Sequence, residues 1–137
     1  MAAALFEDLL SRSGLLGQFR VETAGTWAQE GDPVTRTAQA VMRERGLDVS
    51  GHRSRRVTGE LLHSFDLVLV MEDGHREALL AEFPDLGPRL HLLTDVAGER
   101  YSIRDPMDGT LESYRALADE LGDLLTRGLP RLRQGLL

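Results

Sequence analysis

Apolar residues crowd into Phe65-Asp66-Leu67-Val68-Leu69-Val70-Met71, a run too short for a helix, rich in β-branched residues and bounded by polar ones. That pattern predicts a strand buried on both faces. Glu72-Asp73-Gly74 follows, and the spacing then turns helical as far as Phe83, with Asp73 placed to cap the helix and Pro84 to stop it. Leu90-His91-Leu92-Leu93 repeats the strand signal. A strand, a helix and a second strand in this order predict a layered α/β/α domain around a parallel sheet, with its chemistry on the loops after the strands.

The remaining pattern fills in around these two strands. Leu5, Phe6, Leu9 and Leu10 share one face of a helix predicted from Met1 to about Arg12, which opens without a capping residue. Phe19 to Ala24 alternates apolar and polar residues as a half-covered edge strand does, and Gly25-Thr26-Trp27 is its loop. Asp32 as cap, Pro33 in the first turn and Gly46 at the far end bracket a helix whose stripe is Val34, Ala38, Val41 and Met42, with Arg45. His52-Arg53-Ser54-Arg55-Arg56 is a basic connector, and Thr58 caps a short helix through Leu61-Leu62. Asp95 to Gly109 reads as a loop of about fifteen residues, long enough to suspect a function. A last helix is predicted from Thr110 to about Arg127, with Leu111, Tyr114, Leu117, Leu121 and Leu124 as its stripe. The order is α-β-α-α-β-α-β-α, so every βα unit is complete except the first, which has its helix and lacks its strand.

Composition narrows the function more than the fold. The 137 residues fit a single domain, 1–137, and a net charge of −6 argues against general nucleic-acid binding. There is no cysteine, which removes disulfides, thiolate metal sites and a thiolate nucleophile. Four histidines without cysteine offer no metal-ligand spacing, so neither metal nor cofactor is expected. No apolar run approaches the roughly 20 residues of a membrane span, and the opening Met-Ala-Ala-Ala-Leu-Phe-Glu-Asp lacks the basic flank of a signal peptide. The expected location is the cytoplasm.

Four stretches carry a resemblance. Thr23-Ala24-Gly25-Thr26-Trp27, Gly46-Leu47-Asp48-Val49-Ser50-Gly51-His52-Arg53-Ser54-Arg55, Phe65 to Met71, and Asp105-Pro106-Met107-Asp108-Gly109-Thr110-Leu111-Glu112-Ser113-Tyr114 occur in the order and spacing of the low-molecular-weight protein tyrosine phosphatases. The last stretch also resembles the bacterial branch that includes protein arginine phosphatases. The resemblance implies the phosphotyrosine protein phosphatase I-like fold and hydrolysis of phosphomonoesters on proteins by double displacement. A cysteine in a Cys-x-x-x-x-x-Arg-Ser loop is then the nucleophile, backbone N–H groups and a helix N-terminus hold the phosphate, and an aspartate serves as general acid. Carried onto this chain, that acid is Asp105. Trp27 and Tyr101 would flank the substrate pocket, and His52 would support the phosphate loop.

Nothing in the sequence corresponds to the family's first strand, its cysteine or its loop arginine, and the chain begins at the methionine of Ser-Pro-Met-Ala, with which the family signature continues. The domain therefore reads as N-terminally incomplete, a coincidence best matched by an open reading frame begun late, ahead of deliberate truncation or genuine loss. In each case the chain is expected to be inactive. The alternatives are a pseudophosphatase that binds a partner or itself, and a truncated protein arginine phosphatase; an arsenate reductase would need thiols. Blander readings stand beside these: Asp105 before Pro106 as a turn residue, Trp27 as satellite core, Tyr114 as core, and Arg53, Arg55 and Arg56 as a solvated basic turn. Since the family's first strand lies between the second and third, Phe19–Ala24 and Phe65–Met71 should have unpaired inner edges. Either they close into a three-stranded sheet or a second copy fills the gap by exchange, giving a homo-oligomer.

Overall fold

The computed structural model describes residues 1–25 and 31–135. Among the described residues five α-helices and two strands are formed: α1 (Ala2–Arg12), α2 (Arg36–Glu44), α3 (Gly59–His63), β1 (Val68–Val70), α4 (Asp73–Glu82), β2 (Leu90–Leu92) and α5 (Leu111–Gln134). Short 3-10 helices cover Leu16–Gln18, Pro84–Arg89 and Leu93–Ala97. The chain falls into two compact units, one of Met1–Arg56 with Asp105–Leu125, the other of Val57–Arg104 with Thr126–Leu137.

In the first unit α1 buries Leu5, Leu9 and Leu10, and the half-buried Phe6 meets Phe19 edge to face, with centroids 5.7 Å apart. Helix α2 buries Ala38, Val41 and Met42 of the expected stripe, whereas Val34 lies ahead of the helix and Arg45 is exposed. Its start differs from expectation. Thr35 is the cap, accepting the Ala38 N–H, whereas Asp32 and Pro33 lie ahead of the helix in extended chain that pairs with the basic connector. Gly46 takes a positive φ of 76° after the helix, as predicted. Phe19–Ala24 forms no strand. Its end is instead held by the connector: Gly25 N–H donates to the Arg55 carbonyl at 2.9 Å and Gly25 bridges Arg56 in parallel. Trp27 lies outside the described residues.

In the second unit β1 and β2 pair in parallel, Val68 against Leu90 and Val70 against Leu92. Among the described residues two strands are found where a three-stranded sheet was one expectation, and the pairing of Phe65–Met71 is confined to Val68–Val70. With one pairing neighbour among the described residues, β1 is half-buried along its length rather than buried on both faces, while Leu90 and Leu92 of β2 are buried. Leu62, Leu79, Leu86 and Leu90 form the core beside them, with Phe83, Val68 and Val70 packed against it. Thr58 caps α3 as expected, accepting the Leu61 N–H at 3.1 Å. Asp73 proves to be the first residue of α4 rather than its cap, and Glu72, which precedes it, makes no capping bond through its side chain. The expected loop from Asp95 begins inside the 3-10 helix Leu93–Ala97.

Helix α5 runs past the predicted end near Arg127 to Gln134, with Pro130 inside it. Proline removes one helical donor, so tertiary contacts have to hold this turn. Gly128 is packed against Val96, Arg127 pairs with Glu99 at 2.8 Å, and an Arg131 Nη1–H donates to the Asp95 carbonyl at 3.4 Å. The buried stripe of α5 is Ala118, Leu121, Leu124 and Leu125, and Leu111, expected within it, is 43% exposed.

Candidate active site

Asp105 is exposed and follows a segment fixed at four successive positions. The hydroxyl of Thr94, itself 1% exposed, donates to the Tyr101 carbonyl at 3.0 Å and accepts the Tyr101 N–H at 3.2 Å. Ser102 Oγ accepts the N–H of Asp73 at 2.9 Å and so caps α4 from a distant part of the chain. The Ile103 N–H donates to the Met71 carbonyl at 2.7 Å, and Arg104 faces Glu72 at 3.8 Å. Residues 101–104 are thereby tied to the chain that follows β1 and to the start of α4.

Beyond Asp105 the chain is stopped just as firmly. Thr110 Oγ1 caps α5 by accepting the Ser113 N–H at 3.2 Å, and Asp108 braces that cap, one of its oxygens accepting the Thr110 N–H at 3.1 Å and the other the Ser113 hydroxyl at 2.9 Å. These donors, the Thr110 N–H first and the Ser113 hydroxyl next, hold the Asp108 carboxyl below its ordinary value. Gly109 turns the chain with a φ of 64°. The carboxylate of Asp105 lies near the amino end of α1: burial lowers the pKa of the Met1 α-ammonium, and the charge of Asp105 opposes that shift. An exposed carboxylate beside a helix N-terminus pairs a proton carrier with a place that favours anions.

The other predicted residues are distributed as follows. His52 is exposed, with Nε2 3.4 Å from Thr23 Oγ1, which joins two of the sequence stretches singled out above. Arg55 reinforces that junction, its Nε–H donating to the Thr23 carbonyl at 3.2 Å and its guanidinium facing Glu22 at 3.4 Å. Arg53 folds back, donating from Nη1 to the carbonyls of Ser50 and His52. Tyr101 is 39% exposed and belongs to the other unit from Asp105 and His52. Sequence reasoning missed Thr94 and Ser102, whose partners are distant and whose residue types are common. Among the described residues no group of three or more His, Asp or Glu could hold a metal ion, and no helix is long and apolar enough to cross a membrane.

The chain has relatives among known proteins. Residues 1–135 match the family described as low molecular weight phosphotyrosine protein phosphatase, and the chain belongs to that family. It is 34% identical over 134 residues to a protein-arginine-phosphatase of Geobacillus stearothermophilus, covering 97% of this chain and 86% of that protein. Its fold superposes on the low molecular weight protein tyrosine phosphatase from T. tengcongensis with a TM-score of 0.88 at 28% identity, over 95% of this chain and 88% of that one. The YwlE arginine phosphatase from Geobacillus stearothermophilus gives a TM-score of 0.84 at 32% identity, over 98% of this chain and 84% of that one.

Proposed function

We propose that this chain is a low-molecular-weight phosphatase domain that carries the general acid of phosphomonoester hydrolysis, Asp105, and no nucleophile to work with it. The family reaction, as the resemblance implies it, attacks phosphorus with a thiolate, expels the protein side chain with a proton from the aspartate, and hydrolyses the cysteinyl-phosphate with the same aspartate as base. The observation that carries the assignment of Asp105 is its place: an exposed carboxylate near the amino end of α1, on a loop anchored before and after it. The 137 residues hold no cysteine, so by themselves they should not turn a phosphoprotein over. His52 supports the residues around Thr23, while Trp27 and Tyr101 are the substrate contacts. The favoured substrate is a phosphoprotein; phosphoarginine stands beside phosphotyrosine because relatives at 34% and 30% identity bear the name protein-arginine-phosphatase.

Hydrolysis of para-nitrophenyl phosphate separates this reading from its rivals. The 137-residue chain is expected to be silent, and a version carrying an added strand and Cys-x-x-x-x-x-Arg-Ser loop ahead of Met1 is expected to be active. Asp105→Asn should then lower kcat about 100-fold or more. Turnover by the unmodified chain would refute the assignment of its chemistry. Silence in both forms would favour a pseudophosphatase that engages a partner or, through the edge of β1 not paired with β2, a second copy, which sedimentation at tens of micromolar would detect.

A further inference from the structure

His63 ends α3 at a point where the chain must turn through Ser64 to Leu67 into β1. Its ring has an oxygen at each nitrogen. Nδ1 lies 2.6 Å from the carbonyl oxygen of Gly59, and Nε2 lies 2.6 Å from Oδ2 of Asp85 in the 3-10 helix Pro84–Arg89. A carbonyl can only accept, and so can an ionised carboxylate, so both ring nitrogens must donate. A neutral imidazole has one N–H and would set a lone pair against an oxygen at one of the two contacts.

We propose that His63 is held as an imidazolium and acts as a pH-sensitive clasp, joining α3 to the Pro84–Arg89 helix and so securing the connector that leads into β1. The surroundings agree. Phe83 stands edge-on to the His63 ring at 6.4 Å and covers Gly59, where an added Cβ would lie 3.0 Å from the Phe83 ring. Leu62, the neighbour of His63 in sequence, is part of the buried cluster with Leu79, Leu86 and Leu90. Arg89 braces the same connector, donating from Nη1 to the carbonyls of His63 at 3.3 Å and Phe65 at 3.1 Å.

The charged groups that act on His63 are Asp85, which favours the imidazolium, and Arg89, which opposes it. The Gly59 carbonyl and then Asp85 outweigh partial desolvation and Arg89, so the His63 pKa is raised above 6.5. His63 in turn lowers the Asp85 carboxyl below 3.8. A raised histidine contributes stability fully below its unfolded value and loses it as the pH climbs through the folded value; a depressed carboxyl contributes above its unfolded value and loses it as the pH falls through the folded one. The clasp is thus closed between the two and opens on the alkaline side by deprotonation of His63.

Proton-detected nitrogen NMR of the full 137-residue chain tests this, with the His63 signals assigned by their loss in His63→Gln. Both His63 nitrogens should carry protons at pH 6.5, with a titration midpoint above that of a free histidine. Asp85→Asn should bring the midpoint down, and Arg89→Gln should move it up. Protection of the Ser64 and Phe65 amides against exchange should fall across the same midpoint. A wild-type midpoint at or below 6.5, a single-N–H tautomer at pH 6.5, or protection that ignores the midpoint would each overturn the proposal.

Discussion

Two glycines six positions apart in α5, Gly122 and Gly128, should answer oppositely to the same substitution. A Cβ added at Gly128 would lie 2.4 Å from Cγ2 and 2.6 Å from Cβ of Val96, and 2.8 Å from the Val96 carbonyl oxygen. Val96 is itself fully buried, and a rotamer change relieves neither its Cβ nor its backbone. The helix and the 3-10 turn Leu93–Ala97 would have to separate, at the upper end of the overpacking range, about 3 kcal/mol. Alanine returns about 1 kcal/mol as the better helix former. Gly128→Ala should therefore destabilise the protein by about 2 kcal/mol. At Gly122 the nearest atom an added Cβ would meet is Arg45 Nη1 at 4.0 Å, so Gly122→Ala keeps the helix-forming gain with no clash. The two variants should differ by about 3 kcal/mol, which at this length separates their melting temperatures by roughly 10 °C. Far-UV circular dichroism during heating measures it. A Gly128→Ala protein that melts at or above the wild type would refute the packing argument.

Four further substitutions test the anchoring of the site and the starts of two helices. Thr94→Val keeps the shape of a buried side chain and strips both hydrogen bonds to Tyr101, so urea unfolding should show a loss of about 1 to 3 kcal/mol; an unchanged midpoint would mean that the hydroxyl does not hold the loop. Thr35→Ala should cost about 1 kcal/mol by uncapping α2, and Asp32→Ala much less, with the reverse order showing that the helix starts at Asp32 after all. Asp108→Ala should lower stability at neutral pH by a deficit that shrinks as the pH falls. The folded-state pKa of Asp108 is depressed, so its contribution exists above 3.8 and vanishes as the pH drops through the folded value. A deficit that stays constant from neutral pH to pH 3 would refute the carboxylate as the brace of the α5 cap at Thr110.

Much of the fold was legible because its signals are local. The stripe of α2, the cap at Thr58 and the short apolar runs at Val68–Val70 and Leu90–Leu92 each depend on residues a few positions apart, and the structure forms each of them. Phe19–Ala24 shows where that stops. Alternation states that one face can be covered, but a strand exists only if another strand pairs with it. The end of this segment meets the basic connector at Arg55 and Arg56, and no ladder forms. Helix α5 fails in the other direction. Gly128 and Pro130 are local stop signals, and contacts with Val96, Glu99 and the Asp95 carbonyl override them.

The site was legible only in its resemblance to a family, because what holds Asp105 in place is long-range. Capping rules look for Ser, Thr, Asp or Asn just ahead of a helix. Glu72 and Asp73 stand there at α4, and neither side chain caps it. The acceptor is Ser102 Oγ, 29 residues further on and three residues before the candidate acid. No window of sequence joins those two positions, but once β1 and α4 are built their ends come together. A helix with its own capping residue would have left Ser102 without this partner. The start of α4, which no neighbouring side chain caps, and the fixed approach to Asp105 are therefore one feature, and a glutamate at position 72, a poor capping residue, is the local sign of it.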